Sequence, residues 1–345
     1  MPSSSTAIRP FVTDPAVIVG GGIAGIACAA ELNGAGIPVR LLDRGRALGG
    51  RMASRTMRDT GTGLDGRAVD IGASYFTAQD PGFVLLVDSL IEHGVVRPWT
   101  DAFHVHDEGA LVGVKAGPMR HSAPRGLRSV VEHLAAQLPD TAITHATVVE
   151  SIFAEGDEIR LRCEDGTMLA STRVAVCAPP PQSIRLLDPS LRAPLQAELD
   201  ALTWEPVIAV TMAFADREWD VDGVFVNDDP VITWIADDGS RRGDGAPVLV
   251  AHVHPVLAAR HLPNPAEVIP AAVAATRRAL GIDAMPEWVD VQRWTFARPI
   301  GAHDAPFAAH PKLALGLAGD AWHGGPRIEA AWCSGRALGA WLASR

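Results

Sequence analysis

The chain has 345 residues, 48% of them hydrophobic and 20% charged, with a formal net charge of −10 at pH 7. That length predicts two domains of ordinary size with enough core to fold without disulfide or metal staples, and the composition excludes wholesale disorder. The acidic balance argues against nucleic acid or an anionic membrane surface as the main partner.

The first fifteen residues, rich in Ser and Thr, lack an apolar h-region and read as a disordered lead-in. Ala16 to Val19 reads as a buried parallel strand. The apolar run continues to Leu32, but Gly20, Gly21, Gly22 and Gly25 in its middle argue against a membrane span. A helix from about Ile23 to Gly34 and a strand over Pro38 to Leu42 complete a βαβ unit. Pro81 to His93 and Arg125 to Gln137 read as amphipathic helices, the second opened by Pro124. Glu158 to Cys163 and Thr167 to Ser171 form a hairpin through Asp165-Gly166, and Pro179 ends the strand Val174 to Cys177. Trp204 to Phe214 and Val248 to His254 have the pattern of strands in a second sheet, and Pro265 to Leu280 that of a helix. The strand Leu313 to Leu317, a glycine turn and a helix from about Ile328 to Leu342 repeat the opening grammar.

Cys28, Cys163, Cys177 and Cys333 form no C-x-x-C pair, which points to a reduced, cytoplasmic protein. His104-x-His106 and His252-x-His254 have no carboxylate or cysteine at ligand spacing. No metal is expected, and His104 and His106 read as partly exposed strand residues.

Gly20-x-Gly22-x-x-Gly25 follows a strand and opens a helix. Its glycines permit a tight turn, close approach of a pyrophosphate, and helix–strand packing. Asp43, at the end of the next strand, can bind a ribose hydroxyl pair. FAD and NAD share this fingerprint.

Three further stretches resemble the FAD-dependent amine oxidase and phytoene desaturase superfamily. They are Arg46-x-x-Gly49-Gly50-Arg51-x-x-Ser54, Asp70-x-Gly72-Ala73-x-Tyr75-Phe76, and Ala318-Gly319-Asp320 followed by a helix carrying Gly325, Ile328, Glu329, Ala330 and Gly335. The finer resemblance is to the renalase family, through Gly49 to Arg55, Asp70 to Phe83, His252-x-x-Pro255, Gln292-Arg293-Trp294 and Ala331 to Gly335. The departures lie on the substrate side: Gln79 stands where an arginine is usual, and Asp238 and Arg241-Arg242 replace an Asn and a Lys-Pro.

The resemblance implies an α/β fold: a Rossmann-like FAD-binding domain with an inserted α+β substrate domain on a mainly antiparallel sheet. The expected division is 16–78, 143–185 and 308–345 for FAD, and 79–142 and 186–307 for substrate. It implies noncovalent FAD touched by Gly20, Gly22, Ile23, Ala24, Gly25, Asp43, Arg44, Gly50, Arg51, Gly72, Ala73, Ser74, Tyr75, Val149, Gly319, Asp320, Arg327, Ile328 and Ala331. Asp320 would meet the ribitol, and the Val149 backbone the adenine.

The implied activity is oxidation of misreduced 2- or 6-dihydro isomers of NAD(P)H. Hydride passes to flavin N5, and O2 is converted to hydrogen peroxide. His252, Trp294 and Trp234 are the expected substrate-side residues; the partners are a dinucleotide and O2, with no nucleic acid and no membrane. A flavin amine oxidase or another oxidoreductase of the superfamily is the alternative. Against amine oxidation, Tyr75 is the only tyrosine, and Lys115 and Lys312, the only lysines, lie outside the strand where a flavin-side lysine is expected. A non-catalytic flavin-binding protein is the second alternative.

Overall fold

The computed structural model describes residues 14–345, so the expected lead-in lies outside the described residues apart from Asp14 and Pro15. Ala16–Val19 is apolar at every position and no more than 8% exposed, as a strand covered on both faces must be. It runs through a six-stranded sheet, parallel to Arg173–Val176 on one side and Val39–Leu42 on the other. Ala314–Leu317 and Ile143–Thr144 extend the parallel pairing, and Ala308–Ala309 adds an antiparallel edge. The helices Ile23–Gly34 and Ile328–Ala343 cross closely: a Cβ at Gly335 would fall 2.1 Å from the Ala24 carbonyl oxygen.

The second large sheet has seven strands in the order Trp288–Ile300, Thr203–Ala213, Val248–Val253, Ile232–Asp237, Gly223–Val226, Arg97–Asp107 and Ala110–Ser122. All pairs are antiparallel except Gly223–Val226 with Arg97–Asp107. Val149–Glu155, Glu158–Cys163 and Met168–Ser171 make a three-stranded sheet containing the expected hairpin. Ser54–Thr56 and Ala68–Asp70 pair as a short ribbon. The fold is therefore mixed α/β with a Rossmann-like part.

Several expectations need correction. The helix expected from Arg125 spans only Arg128–Ala135, because Gly126 adopts φ +89° and breaks the run. Pro265–Val268 is a 3-10 turn, and the α-helix is Ile269–Leu280. Pro270, which lacks an N–H, sits in its first turn, where none is needed. Gly325 lies in the turn before the terminal helix, at φ +149°. His106 is buried rather than partly exposed, with Nδ1 3.4 Å from Asp228 Oδ1, because Gly223–Val226 pairs alongside it. The strand expected at His104 and His106 runs over Arg97–Asp107, whereas the sequence pattern predicts no range for the strands Ala110–Ser122 and Trp288–Ile300.

Candidate active site

The glycine fingerprint forms the expected turn. Gly20 takes φ +110°, and a Cβ at Gly25 would fall 1.9 Å from the Gly20 carbonyl oxygen, so the turn and the helix close only without side chains there. A Cβ at Gly22 would meet nothing within 4 Å, and the same holds at Gly319, Gly324 and Gly325. These open backbone faces fit a ligand pressed against the chain. Gly49 N donates to the Gly21 carbonyl at 3.0 Å, which joins the second glycine motif to the first. Asp43 accepts from Gly21 N at 2.5 Å and Gly45 N at 2.6 Å, so its carboxylate is fixed at the mouth of the turn. Ile23 and Ala24 are buried at the helix start, and Arg44 is exposed.

Arg51 and Asp320 meet across the molecule. The guanidinium donates to both carboxylate oxygens, at 2.7 and 2.5 Å, and to the Ala297 carbonyl at 3.1 Å. Such a two-pronged pair fixes direction as well as distance. Gly319 N donates to Ser334 Oγ at 3.1 Å, tying the late Gly-Asp motif to the terminal helix. Arg327 is exposed and Ile328 half-buried at that helix start. Buried Glu329 accepts from Gln79 N and Asp80 N at 2.5 and 2.6 Å, while Ala331 is 7% exposed. Val149 is buried at the start of its strand.

Ile71–Tyr75 forms the seam to the second sheet. Ala73 N donates to the Arg51 carbonyl at 2.9 Å, and Gly72 lies so close to it that a Cβ would come within 2.1 Å. From the other side, Trp294 Nε1 donates to the Ile71 carbonyl at 2.6 Å, and Trp234 Nε1 to Ser74 Oγ at 3.0 Å. Arg241 donates to the Ser74 carbonyl at 3.1 Å. His252 lies opposite Trp234 across the strand pair, with Nε2 buried and without a hydrogen-bond partner. Burial first, then the Arg241 charge, lowers its pKa to about 4, with the Gly72 backbone partly opposing, so the ring is neutral at pH 7. Tyr75 packs against Phe103, Trp234 and Trp99 at ring-centroid distances of 5.2, 5.8 and 6.3 Å.

A buried ionic network braces this seam. Asp238 and Arg241 are fully buried, Arg242 is 4% exposed and Asp70 1%. They lie on or against the short helix Asp238–Arg242, capped by Asp237, which accepts from Ser240 N at 3.0 Å, and ended by Gly243 at φ +81°. Asp238 binds Arg241, Arg242 and Arg67. Burial alone would raise its carboxyl pKa, but Arg242, Arg241 and Arg67 more than offset this and hold it well below the carboxylate range. Asp70 accepts from Ser54 Oγ at 2.6 Å and Leu127 N at 2.8 Å, with Arg242 at 3.4 Å.

The chain thus brings His252, Trp234 and Trp294 to one place, against the segment expected to face the flavin. It removes Asp238 and Arg241 from the surface, so these departures from the renalase pattern are interior braces. Sequence reasoning missed the network; the i,i+3 and i,i+4 spacing of Asp238 with Arg241 and Arg242 was the available signal. It also missed that Asp80, His323 and Cys333 bring a carboxylate, an imidazole and a thiol within 4.8 Å of one another.

A family model described as flavin containing amine oxidoreductase matches residues 104–337, and one for an NAD(P)-binding Rossmann-like domain matches 18–89. Among solved structures, a putative protoporphyrinogen oxidase from Exiguobacterium sp. 255-15 is similar at TM-score 0.76 and 18% identity, covering 96% of this chain and 99% of that one. A putrescine oxidase bound to putrescine is similar at TM-score 0.72 and 15% identity, covering 97% and 100%. A CLA-producing fatty acid isomerase from P. acnes is similar at TM-score 0.68 and 11% identity, covering 94% and 97%. At these identities the likeness is one of fold.

Proposed function

The chain belongs to the flavin containing amine oxidoreductases, and from that premise we propose that it oxidises misreduced 2- or 6-dihydro isomers of NAD(P)H. Overall, the isomer, one proton and O2 give the oxidised dinucleotide and hydrogen peroxide. The cofactor is FAD, which when bound supplies a hydride acceptor. The open faces at Gly22 and Gly319, with Asp43, Arg51, Val149 and Asp320, would hold it. Noncovalent attachment is part of the proposal. Cys333 is buried, and burial first, then Asp80 and Glu329, pushes its pKa up to about 12, which leaves a protonated thiol, a poor nucleophile.

One observation carries the reading: His252, Trp234 and Trp294 converge on Ile71–Ser74 without presenting a base that is charged near neutral pH. Both indole N–H groups are committed to the seam, and His252 is neutral. Such a wall suits placing a planar ring and excluding water. Oxidation of a dihydropyridine needs little more, because its own nitrogen expels the hydride. The renalase-like stretches around His252 and Trp294 support the same substrate. Amine oxidation is less well served: Lys115 is exposed on the strand Ala110–Ser122, Lys312 is exposed in the turn before Ala314–Leu317, and Tyr75 is the only tyrosine.

Anaerobic mixing with partly borohydride-reduced NAD+ tests the proposal. The expected result is rapid bleaching of the flavin, with putrescine ineffective. Bleaching by putrescine at a comparable rate, with none by the NAD+ reduction mixture, overturns it.

A further inference from the structure

Beside the seam lies an open cleft of ≈ 460 Å³, lined by Ser54, Arg55, Arg58, Arg128, Gln292 and Trp294 among others. Every charged residue in its lining is an arginine, in a chain of net charge −10. Arg55 is partly neutralised: it pairs with Asp290, and it donates to Gln292 Oε1 at 2.5 Å. Arg58 is exposed, and neither it nor Arg128 has an ion-pair partner among the described residues. Arg128 Nε is buried and has no hydrogen-bond partner. Arg128 as a whole is only half-buried, so the open part of its guanidinium is left for an anion in the cleft. Trp294, its N–H fixed on Ile71, closes one side with its ring.

We propose that this cleft is a subsite for a phosphate-bearing nucleotide, and specifically that it takes the adenosine diphosphate portion of the dinucleotide substrate. The reasoning is complementarity: guanidinium groups match phosphate oxygens, and an aromatic wall beside them suits a ligand whose charge is attached to planar rings. The wall residue is itself hydrogen-bonded to Ile71, so the cleft borders the segment expected to face the flavin. This inference rests on the reading of the substrate as a dinucleotide.

The test is titration of FAD-saturated protein with ADP, inorganic pyrophosphate and adenosine, without turnover. ADP should bind, adenosine should bind much more weakly, and added salt should weaken ADP binding. Arg58→Gln and Arg128→Gln should each weaken ADP about tenfold, or about 1.4 kcal/mol, with FAD content unchanged. Should Arg128→Gln fail to fold, exposed Arg58→Glu carries the test, with a larger loss expected. Pyrophosphate binding as tightly as ADP would mean a phosphate site without nucleotide recognition and would overturn the assignment. So would ADP binding unmoved by the variants, or variants that release FAD instead. Because no turnover is read, arginine-dependent ADP binding in a protein whose flavin no dihydro isomer bleaches would uphold the subsite while rejecting the reaction.

Discussion

The two halves of the candidate site are built by different physics. Around Gly20–Gly25, Gly49–Gly50 and Gly319, the architecture is backbone: positive φ angles, faces without Cβ atoms, and amide-to-carbonyl bonds between turns. Along Ile71–Tyr75 it is side chain: two indoles and a neutral histidine converge from the second sheet, and a buried network of aspartates and arginines joins the helix Asp238–Arg242 to Arg67 and to Asp70 of the short ribbon. The first half is fixed by what is missing from the chain, the second by what is packed against it. Arg51 belongs to both, reaching Asp320 on one side and the Ala297 carbonyl on the other.

The largest expected effect falls on the side-chain half. Asp238→Asn leaves Arg241 and Arg242 buried with Asp70 as their remaining anion, and should cost about 3–5 kcal/mol of stability by denaturant titration. If the loss were below about 1 kcal/mol, the network would not be what braces the seam.

Acid should next separate two members of the side-chain half. With its pKa lowered to about 4, folded His252 resists a proton that the unfolded chain takes up near pH 6.5. Stability from this group is therefore complete above pH 6.5 and falls as pH drops toward 4, by up to about 3 kcal/mol. His252→Gln should flatten that limb, whereas Asp238 acts only below the ordinary carboxylate range. A limb unchanged in the variant would break the assignment.

The backbone half should answer to glycine substitutions in a split manner. Gly25→Ala, clashing with the Gly20 carbonyl, should cost about 1–3 kcal/mol and release FAD. Gly22→Ala, with open space around it, should leave the stability of the FAD-free protein almost unchanged but weaken FAD retention. Equal loss of stability from both would erase the distinction between a packing glycine and a ligand-facing one.

The smallest structural effect is expected at Trp294→Phe. Losing the bond to Ile71 should cost about 1 kcal/mol and slow anaerobic flavin reduction while FAD is retained. An ordinary core role predicts the stability loss with an unchanged reduction rate.

This contrast also explains what could be read in the sequence. The opening strand, turn and helix were legible because an all-apolar run and spaced glycines are local demands. The strand Trp288–Ile300 was hidden because Asp290 and Arg298 interrupt its pattern, and their ionic partners, Arg55 and Glu205, are remote in sequence. Ala110–Met119 is exposed throughout, so its strand carries no burial alternation to detect. Asp238 to Arg242 reads like a solvated charged loop, and only the fold brings Asp70 and Arg67 to it. His252 and Trp294 could be named by resemblance, but the 71–74 segment on which they and Trp234 converge could not.

The interleaved six-stranded sheet bears on how the chain acquires its shape during synthesis. Ala16–Val19 leaves the ribosome early, yet the strand Arg173–Val176 that pairs with it, and Ala314–Leu317 beyond, arrive much later. Parallel pairing over such separations makes for slow folding. In the interval, the seven-stranded sheet can form while the glycine turns still lack their downstream neighbours. Flavin capture is therefore expected among the last events of maturation, after the late strand and terminal helix have docked.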